Sequence, residues 1–247
     1  MNANLKPLTP SLREIRKSCR NCSLASLCLP RTLNDHDLDK LDEVIETRST
    51  LHKDDVLFEQ GLAANYLYAV RSGSIHTYTT AKNGDQQSLG FHLAGELLGL
   101  DGFDNQIHSC SAVALETTSV CQLAVSDLHS LCLRIEGLQR QLVSLLSDEI
   151  CKDHNMLLLM ARCNAEQKLA KFFISLSTRL QNRGRSASEF NLTMTRSQIA
   201  NYLGLTDETV SRIITKFRQA KIIQADRRLI TILQPKTLAN IAENGKF

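Results

Sequence analysis

Residues 195–221 read "TRSQIANYLGLTDETVSRIITKFRQAK". The stretch predicts a first helix over about Arg196–Leu203, stopped by Gly204. Thr206 is placed to cap a second helix, with Asp207 and Glu208 in its first turn, where carboxylates suit the helix dipole. Val210, Ile213 and Phe217 share one face and are expected to pack inward. Glu208, Ser211, Arg212 and Thr215 recur at i, i+3, i+4 and i+7 on another face, open to the outside. Helix, glycine turn and a second helix with a polar face is the helix-turn-helix pattern. Its chemistry suits base edges. Arg212 can pair with guanine O6 and N7, Glu208 can accept from the cytosine amine, and Ser211 can serve either sense. Lys216, Arg218 and Lys221 are expected at phosphates. An ordinary surface helix with a Glu208–Arg212 pair is the competing reading.

Working outward, "KIIQADRRLITIL" (221–233) predicts two short strands, a wing. From Arg162 onward there are 15 Lys and Arg against 6 Asp and Glu; before it there are 14 against 20. A basic C-terminal third on an acidic body points to a polyanion partner for that third. It opens with a predicted helix over about Asn164–Gln181, which ends at "NRGRS" (182–186), with Gly184 as the stop signal.

N-terminal to this, Val143, Leu146, Ile150, Asp153, Leu157 and Met160 advance by threes and fours, the seam of a long helix spanning 126–160. The seam is expected to join two copies of the chain. Asp153 is the odd position, since two carboxylates meeting there repel. Before it, "DVLFEQG" (55–61), "YLYAVRSGSIHTYTT" (66–80), "QSLGFHLAGELLGL" (87–100) and "AVALETTSVCQLAV" (112–125) are short β-rich runs. Runs at such spacing predict a small antiparallel roll over about 31–125. The expected order is therefore an arm (1–30), a roll (31–125), a helix (126–160) and a winged helix-turn-helix domain (161–247), an α+β chain.

The arm holds "CRNCSLASLCLP" (19–30), with Cys19, Cys22 and Cys28 spaced as C-x2-C-x5-C. Arg16, Lys17 and Arg20 stand beside them and would favour thiolates. No apolar leader precedes them, and the longest clean apolar run, Met156–Ala161, is too short to span a membrane. The chain is expected to be cytoplasmic, with its eight cysteines reduced. Four thiolates suit an iron–sulfur cluster, and they equally suit zinc. The residues alone do not choose a fourth ligand among Cys110, Cys121, Cys132, Cys151 and Cys163; buried inert thiols are the ordinary expectation for such cysteines. No P-loop, G-x-S-x-G or H-E-x-x-H motif is present, so nothing suggests an enzyme.

Taken together, "CRNCSLASLCLP", "LYAVRSGSI", "GFHLAGELLG", "ALETTSVCQL", "NAEQKLAKF" and "FNLTMTRSQIANYLGLTDETVSR" resemble the CRP/FNR superfamily of bacterial transcription regulators. Within it, E-T-V-S-R with Ser211 resembles the FNR branch, including ANR-type proteins. The resemblance implies a jelly roll of the cyclic-nucleotide-binding kind, a long dimerisation helix and a winged helix-turn-helix. It implies one [4Fe–4S] cluster per chain on Cys19, Cys22, Cys28 and Cys121, with Ser23 and Leu27 lining it. It implies a homodimer that binds an inverted repeat of the TTGAT/ATCAA kind on double-stranded DNA when oxygen is low, and that loosens as oxygen destroys the cluster. Asp153 then stands where the family places an inhibitory aspartate, with Ile150 as companion. Contact with RNA polymerase is implied for Ser72, Gly84, Asp85 and Thr117. Arg185 and Asp207 depart from the enteric relative's apolar residues.

Two other effectors and one alternative reading are open to comparison. Cyclic AMP requires a fixed cation for its phosphate. The roll keeps Gly95–Glu96 but has Cys110 and Ser111 near the CRP arginine position, with no arginine between Arg71 and Arg134, so cyclic AMP is not expected. Haem would have His76, His92 and His108 as candidates, without an attachment motif. The remaining alternative is a DNA-binding dimer whose cysteines hold structural zinc or act as redox thiols.

Overall fold

A computed structural model describes residues 19–47, 50–103 and 106–245. Arg16 and Lys17, expected to act on the arm's thiols, lie outside the described residues, as does the arm before Cys19.

The arm enters as two short 3-10 turns, Ala25–Leu27 and Leu29–Thr32. Where strands were expected after Pro30, helix α1 (Asp35–Val44) comes first. Asn34 caps it, accepting from Asp37 N at 2.9 Å, and Asp35 and Asp37 occupy its first turn. The roll follows as β1 (Glu46–Thr47), β2 (Val56–Phe58), β3 (Tyr66–Ser72), β4 (Ser74–Thr80), β5 (Gln86–Leu93), β6 (Leu97–Leu98), β7 (Ser111–Ala114) and β8 (Ser119–Ala124). Two antiparallel sheets, ordered β1-β8-β3-β6 and β2-β7-β4-β5, share one core that includes Leu57, Val70, Ile75, Ala112 and Val120.

Alternation along β3 and β8 gives the first sheet two apolar faces. Tyr68, Val70 and Val120 point into the roll. Leu67 and Leu123 point the other way, into a second core with Leu29, Leu41, Leu128, Leu131, Ile135 and Leu138. That second core fastens the arm and α1 to the helices that follow.

The long helix expected over 126–160 is two helices, α2 (Val125–Arg134) and α3 (Glu136–Arg162). They meet at Ile135, which is extended (φ −129°, ψ 91°) and fully buried. Leu128, Leu131, Ile135 and Leu138 keep the helical spacing across the joint, so the apolar period hides the break. Gly137, a weak helix former, stands just beyond it.

The C-terminal domain comprises α4 (Ala165–Gln181), β9 (Glu189–Asn191), α5 (Arg196–Leu203), α6 (Asp207–Gln219), β10 (Ile223–Asp226), β11 (Leu229–Ile232) and α7 (Pro235–Asn244). The wing has three strands rather than two, in the order β10-β11-β9, and α7 was not anticipated. Its core, built on Phe173, Leu169, Ile199, Leu203, Val210, Ile213 and Phe217, continues into Phe91, Leu93 and Leu115 of the roll. Among the described residues, no helix is long and apolar enough to cross a membrane.

Candidate cofactor cavity and nucleic-acid interface

Cys19, Cys22 and Cys28 are drawn together by the tight turns of the arm, in which Cys22 N donates to Cys19 O at 3.2 Å and Ala25 N to Cys22 O at 3.1 Å. Cys28 lies between the two 3-10 turns, with Pro30 in the first turn of the second. Cys121 comes from β8, in register with Thr47 on one side and Ala69 on the other. It has the parity of Leu123, so its side of the sheet is the one the arm covers. All four cysteines line one cavity of about 50 Å3 with an almost wholly apolar wall. Among the described residues, Cys110, Cys132, Cys151 and Cys163 stand outside that wall, and Cys151 is exposed rather than buried.

Between the ligand positions, Leu24 and Ala25 face the cavity. Ser23 is exposed and Leu27 packs towards Gly95, which corrects the expectation that Ser23 and Leu27 form the lining. Ser23 lies in the turn that precedes the 3-10 turn Ala25–Leu27 and is exposed there.

The thiolate-favouring role expected of Arg20 is also corrected, while that of Arg16 and Lys17 lies outside the described residues. Arg20 reaches away to α1, pairing with Asp39 at 3.1 Å and donating to Asp35 O at 2.9 Å. Burial, and then the Asp42 carboxylate, push the Cys19 thiol well above its usual range. Burial likewise pushes Cys28 up to about 12, with Cys121 and Cys22 adding to it. These thiols are held neutral, so a bound cation has to displace their protons. Among the described residues, no three His, Cys, Asp or Glu side chains close on a point that one metal ion would fill. The donor set is spread around a cavity.

The second site is the face of α6. Thr195 and Gln198 form a reciprocal capping box at the start of α5, and Gly204 ends that helix at φ +61°, where a Cβ would be strained. Thr206 accepts from Thr209 N at 3.2 Å and starts α6. Val210, Ile213, Ile214 and Phe217 are buried, while Glu208, Arg212 and Thr215 are exposed. Ser211 is half-buried, accepting from Arg196 Nη1 at 3.4 Å. Arg218 and Lys221 are exposed, whereas Lys216 is paired with Glu166 at 2.6 Å, which weakens its expected role at phosphate. Beside the face, Thr195, Arg196, Arg227 and Arg228 border a cleft of about 200 Å3, a cationic grouping not anticipated because the wing brings Arg227 and Arg228 back to residues far from them in sequence.

A family model for the Crp-like helix-turn-helix domain matches residues 167–241, and one for the cyclic nucleotide-binding domain matches residues 48–134. The chain is 45% identical over 228 residues to the fumarate and nitrate reduction regulatory protein of Yersinia pestis, covering 92% of this chain and 91% of that protein. It is 45% identical over 224 residues to the transcriptional activator protein Anr of Pseudomonas protegens, covering 91% and 92%. The chain belongs to the CRP/FNR family of transcription regulators. Among solved structures it is similar to FixK2 from Bradyrhizobium japonicum, with a TM-score of 0.73 and 28% identity over 80% of this chain and 96% of that one. As a CRP/FNR regulator the chain is a DNA-binding protein and not an enzyme.

The positions for which the resemblance implies polymerase contact fall in two places. Ser72 and Thr117 are exposed neighbours at one end of β4. There Ser72 Oγ and Ser119 Oγ are 2.7 Å apart, and Gly73 turns at φ +82° against Thr117 O. Gly84 and Asp85 are exposed in the β4–β5 hairpin at the opposite end. The three histidines are also apart in their partners. His76 bonds Ser88 Oγ at 2.8 Å, His92 bonds Thr77 Oγ1 at 3.1 Å, and His108 is buried against Phe58 with ring centroids 3.8 Å apart. Glu96, the acidic residue noted beside Gly95, accepts from Arg179 at 3.0 and 2.6 Å and from Arg183 at 2.6 Å. The roll's missing arginines are thus supplied by α4 and the turn after it. Burial pushes the Glu96 carboxyl up, but Arg179, Arg183 and His92 outweigh it and bring it down to about 2.

Proposed function

We propose that this CRP/FNR regulator is an oxygen-responsive homodimer that carries one [4Fe–4S] cluster per chain on Cys19, Cys22, Cys28 and Cys121. The observation that carries the reading is the convergence of four thiols, from segments about a hundred residues apart in sequence, on one apolar cavity. A cluster is wider than a single ion, so a spread set of thiols suits it better than tetrahedral zinc. When bound, the group supplies an oxygen-labile tie between arm and roll.

The chain's own residues carry that tie to the dimer seam. The turn Leu29–Thr32 packs on the start of α3, with Leu29 and Leu138 in one core. Thr32 Oγ1 donates to the buried Gln141 at 3.3 Å. Beyond Gln141 no described residue of α3 is fully buried: Leu142 and Leu145 pack partly against the core, whereas Val143, Ile150 and Leu157 are 61%, 55% and 67% exposed and Leu146 is half-buried. An apolar stripe of that kind is covered by a second copy. Asp153 is exposed on the same helix, where a parallel pair would bring two carboxylates together and hold the dimer near its midpoint.

In the dimer, Arg212 reads guanine, Glu208 cytosine and Ser211 the neighbouring base of an inverted repeat of the TTGAT/ATCAA kind. RNA polymerase is met at Ser72 with Thr117 and at Gly84 with Asp85. The chain acts in the cytoplasm and takes no cyclic AMP.

The test is iron, sulfide and zinc analysis of anaerobically purified protein, with a gel shift on an inverted-repeat probe before and after air. About four irons and four sulfides per chain, with the shift lost in air, are expected. Stoichiometric zinc and a shift indifferent to air would replace the reading with a scaffold of structural zinc.

A further inference from the structure

The DNA-binding domain sits on the roll of its own chain through a polar and aromatic dock. Asn201 of α5 accepts from Ser88 N at 2.5 Å and donates to Gln86 O at 2.8 Å, so a side chain of the helix-turn-helix extends the edge of β5. Gln87 Nε2 returns a bond to Asn201 O at 2.8 Å. Phe91 meets Tyr202 edge-on, with centroids 5.2 Å apart, and also contacts Phe172. Ser74 Oγ donates to Thr193 Oγ1 at 2.9 Å.

The charged centre of the dock is Glu96. Both Arg179 and Arg183 converge on its carboxylate, Arg179 also donates to Phe91 O, and Arg183 donates to Ala94 O at 2.5 Å. Only 18% of the Glu96 side chain and 7% of the Arg183 side chain are exposed. Two guanidiniums at one spot repel unless the carboxylate stands between them, so the dock depends on where Glu96 is held.

Glu96 is held by its neighbour. Gly95 is part of the cysteine cavity's wall. Its backbone is at φ +90°, and a Cβ there would lie 3.1 Å from Leu27 Cβ, with Leu24 Cβ at 3.8 Å. Gly95 N donates to Val70 O at 2.7 Å and Val70 N to Glu96 O at 3.0 Å, so the pair is clamped to β3 at the cavity's edge. One face of this dipeptide touches the arm between the cysteines, and the other holds the two arginines of the DNA-binding domain.

We propose that Gly95–Glu96 couples the seating of the cysteine arm to the docking of the DNA-binding domain on the roll of the same chain, a second output beside the dimer seam. It rests on the cysteine cavity being the effector site. With the arm seated, Leu24 and Leu27 brace Gly95, and Glu96 stays between Arg179 and Arg183. With the arm displaced, the brace is lost, the two cations separate, and α5 leaves the edge of β5. The orientation of the recognition helix is then set within each protomer before any dimer forms.

Amide hydrogen exchange over residues 86–93 and 196–203 tests this, with iron and sulfide measured on the same samples. In cluster-loaded protein both segments are expected to be protected. Cluster loss in air should raise their exchange by at least about fivefold, the lower end of ordinary coupling between sites. Glu96→Gln should show the fast exchange in both states with its iron and sulfide intact. Equal exchange in the two states of a demonstrably loaded protein overturns the proposal. If no cluster loads at all, the cofactor reading fails by itself, and Leu27→Ala decides the coupling against a parent chain whose residues 24–32 are themselves protected from exchange, so that its arm is seated. Removing the brace should speed exchange at the dock; exchange equal to that of the parent chain would sink the link.

Discussion

A single thiol carries much of the cofactor reading. Cys22→Ala leaves three donors around the cavity, and anaerobically purified variant is expected to lose its iron and sulfide together. Full sulfide content in that variant would refute the ligand set. Arg212 carries the corresponding weight on DNA. Its guanidinium is exposed and, on the proposed reading, pairs with guanine, so Arg212→Ala is expected to cost about 1–3 kcal/mol at the half-site guanine and to relax preference there. Competition between probes differing at that base measures it, and an unchanged preference would move base reading off α6. At this scale the sequence was readable where chemistry is local. C-x2-C-x5-C lies within one turn-rich segment, and the face of α6 follows from helical spacing alone. Cys121 was reachable only by resemblance, because nothing near it in sequence distinguishes it from Cys110. What separates them is tertiary position: Cys121 is on β8 and lines the cavity under the arm, whereas Cys110 precedes β7 of the other sheet and lies in the roll core, where burial and the adjacent Asp101 push its thiol up to about 12.

For α3, the apolar stripe and its one charge set the prediction. Removing like charges from a paired seam favours association, so Asp153→Ala is expected to shift the monomer–dimer balance in air by about tenfold, equivalent to about 1.4 kcal/mol. Sedimentation across a concentration series reads this directly, and an unchanged monomer population would place Asp153 away from the seam. The same element marks a limit of periodicity. A 3.5-residue repeat identified the stripe, and it ran straight through Ile135, because a buried joint keeps the apolar spacing while the backbone becomes extended. The wing shows another limit: β9 lies far from β10 and β11 in sequence, and three residues carry too little pattern to announce a strand.

Across the molecule, the histidines under the DNA-binding domain link stability to pH. Burial, followed by the neighbouring His92, pulls His76 down to about 4, and the ring also faces Ser88, Tyr78 and Phe91. The unfolded chain takes up this proton near the ordinary histidine value of about 6.5. Between that value and 4 the unfolded state binds more protons, so stability falls as pH is lowered through the window, and this group's contribution is gone below it. Glu96 adds a loss of the same sign as pH falls from its ordinary value of 4.5 to about 2. Urea unfolding at pH 7 and pH 4.5 is expected to show the decline, and His76→Asn should flatten it; a variant with the parent's slope would assign the loss elsewhere.

The sequence by itself determined the α+β class, the roll, the helix-turn-helix with its caps, the exposed apolar stripe of α3 and the three clustered cysteines, because each rests on contacts within a turn, a strand or a few helical turns. The tertiary structure decided which fourth cysteine joins the cavity, where the long helix breaks, and that Glu96 takes its cations from the DNA-binding domain rather than from the roll. Those outcomes depend on which faces of distant segments are buried together. Packing sets that only once the whole chain has closed, and no local spacing encodes it.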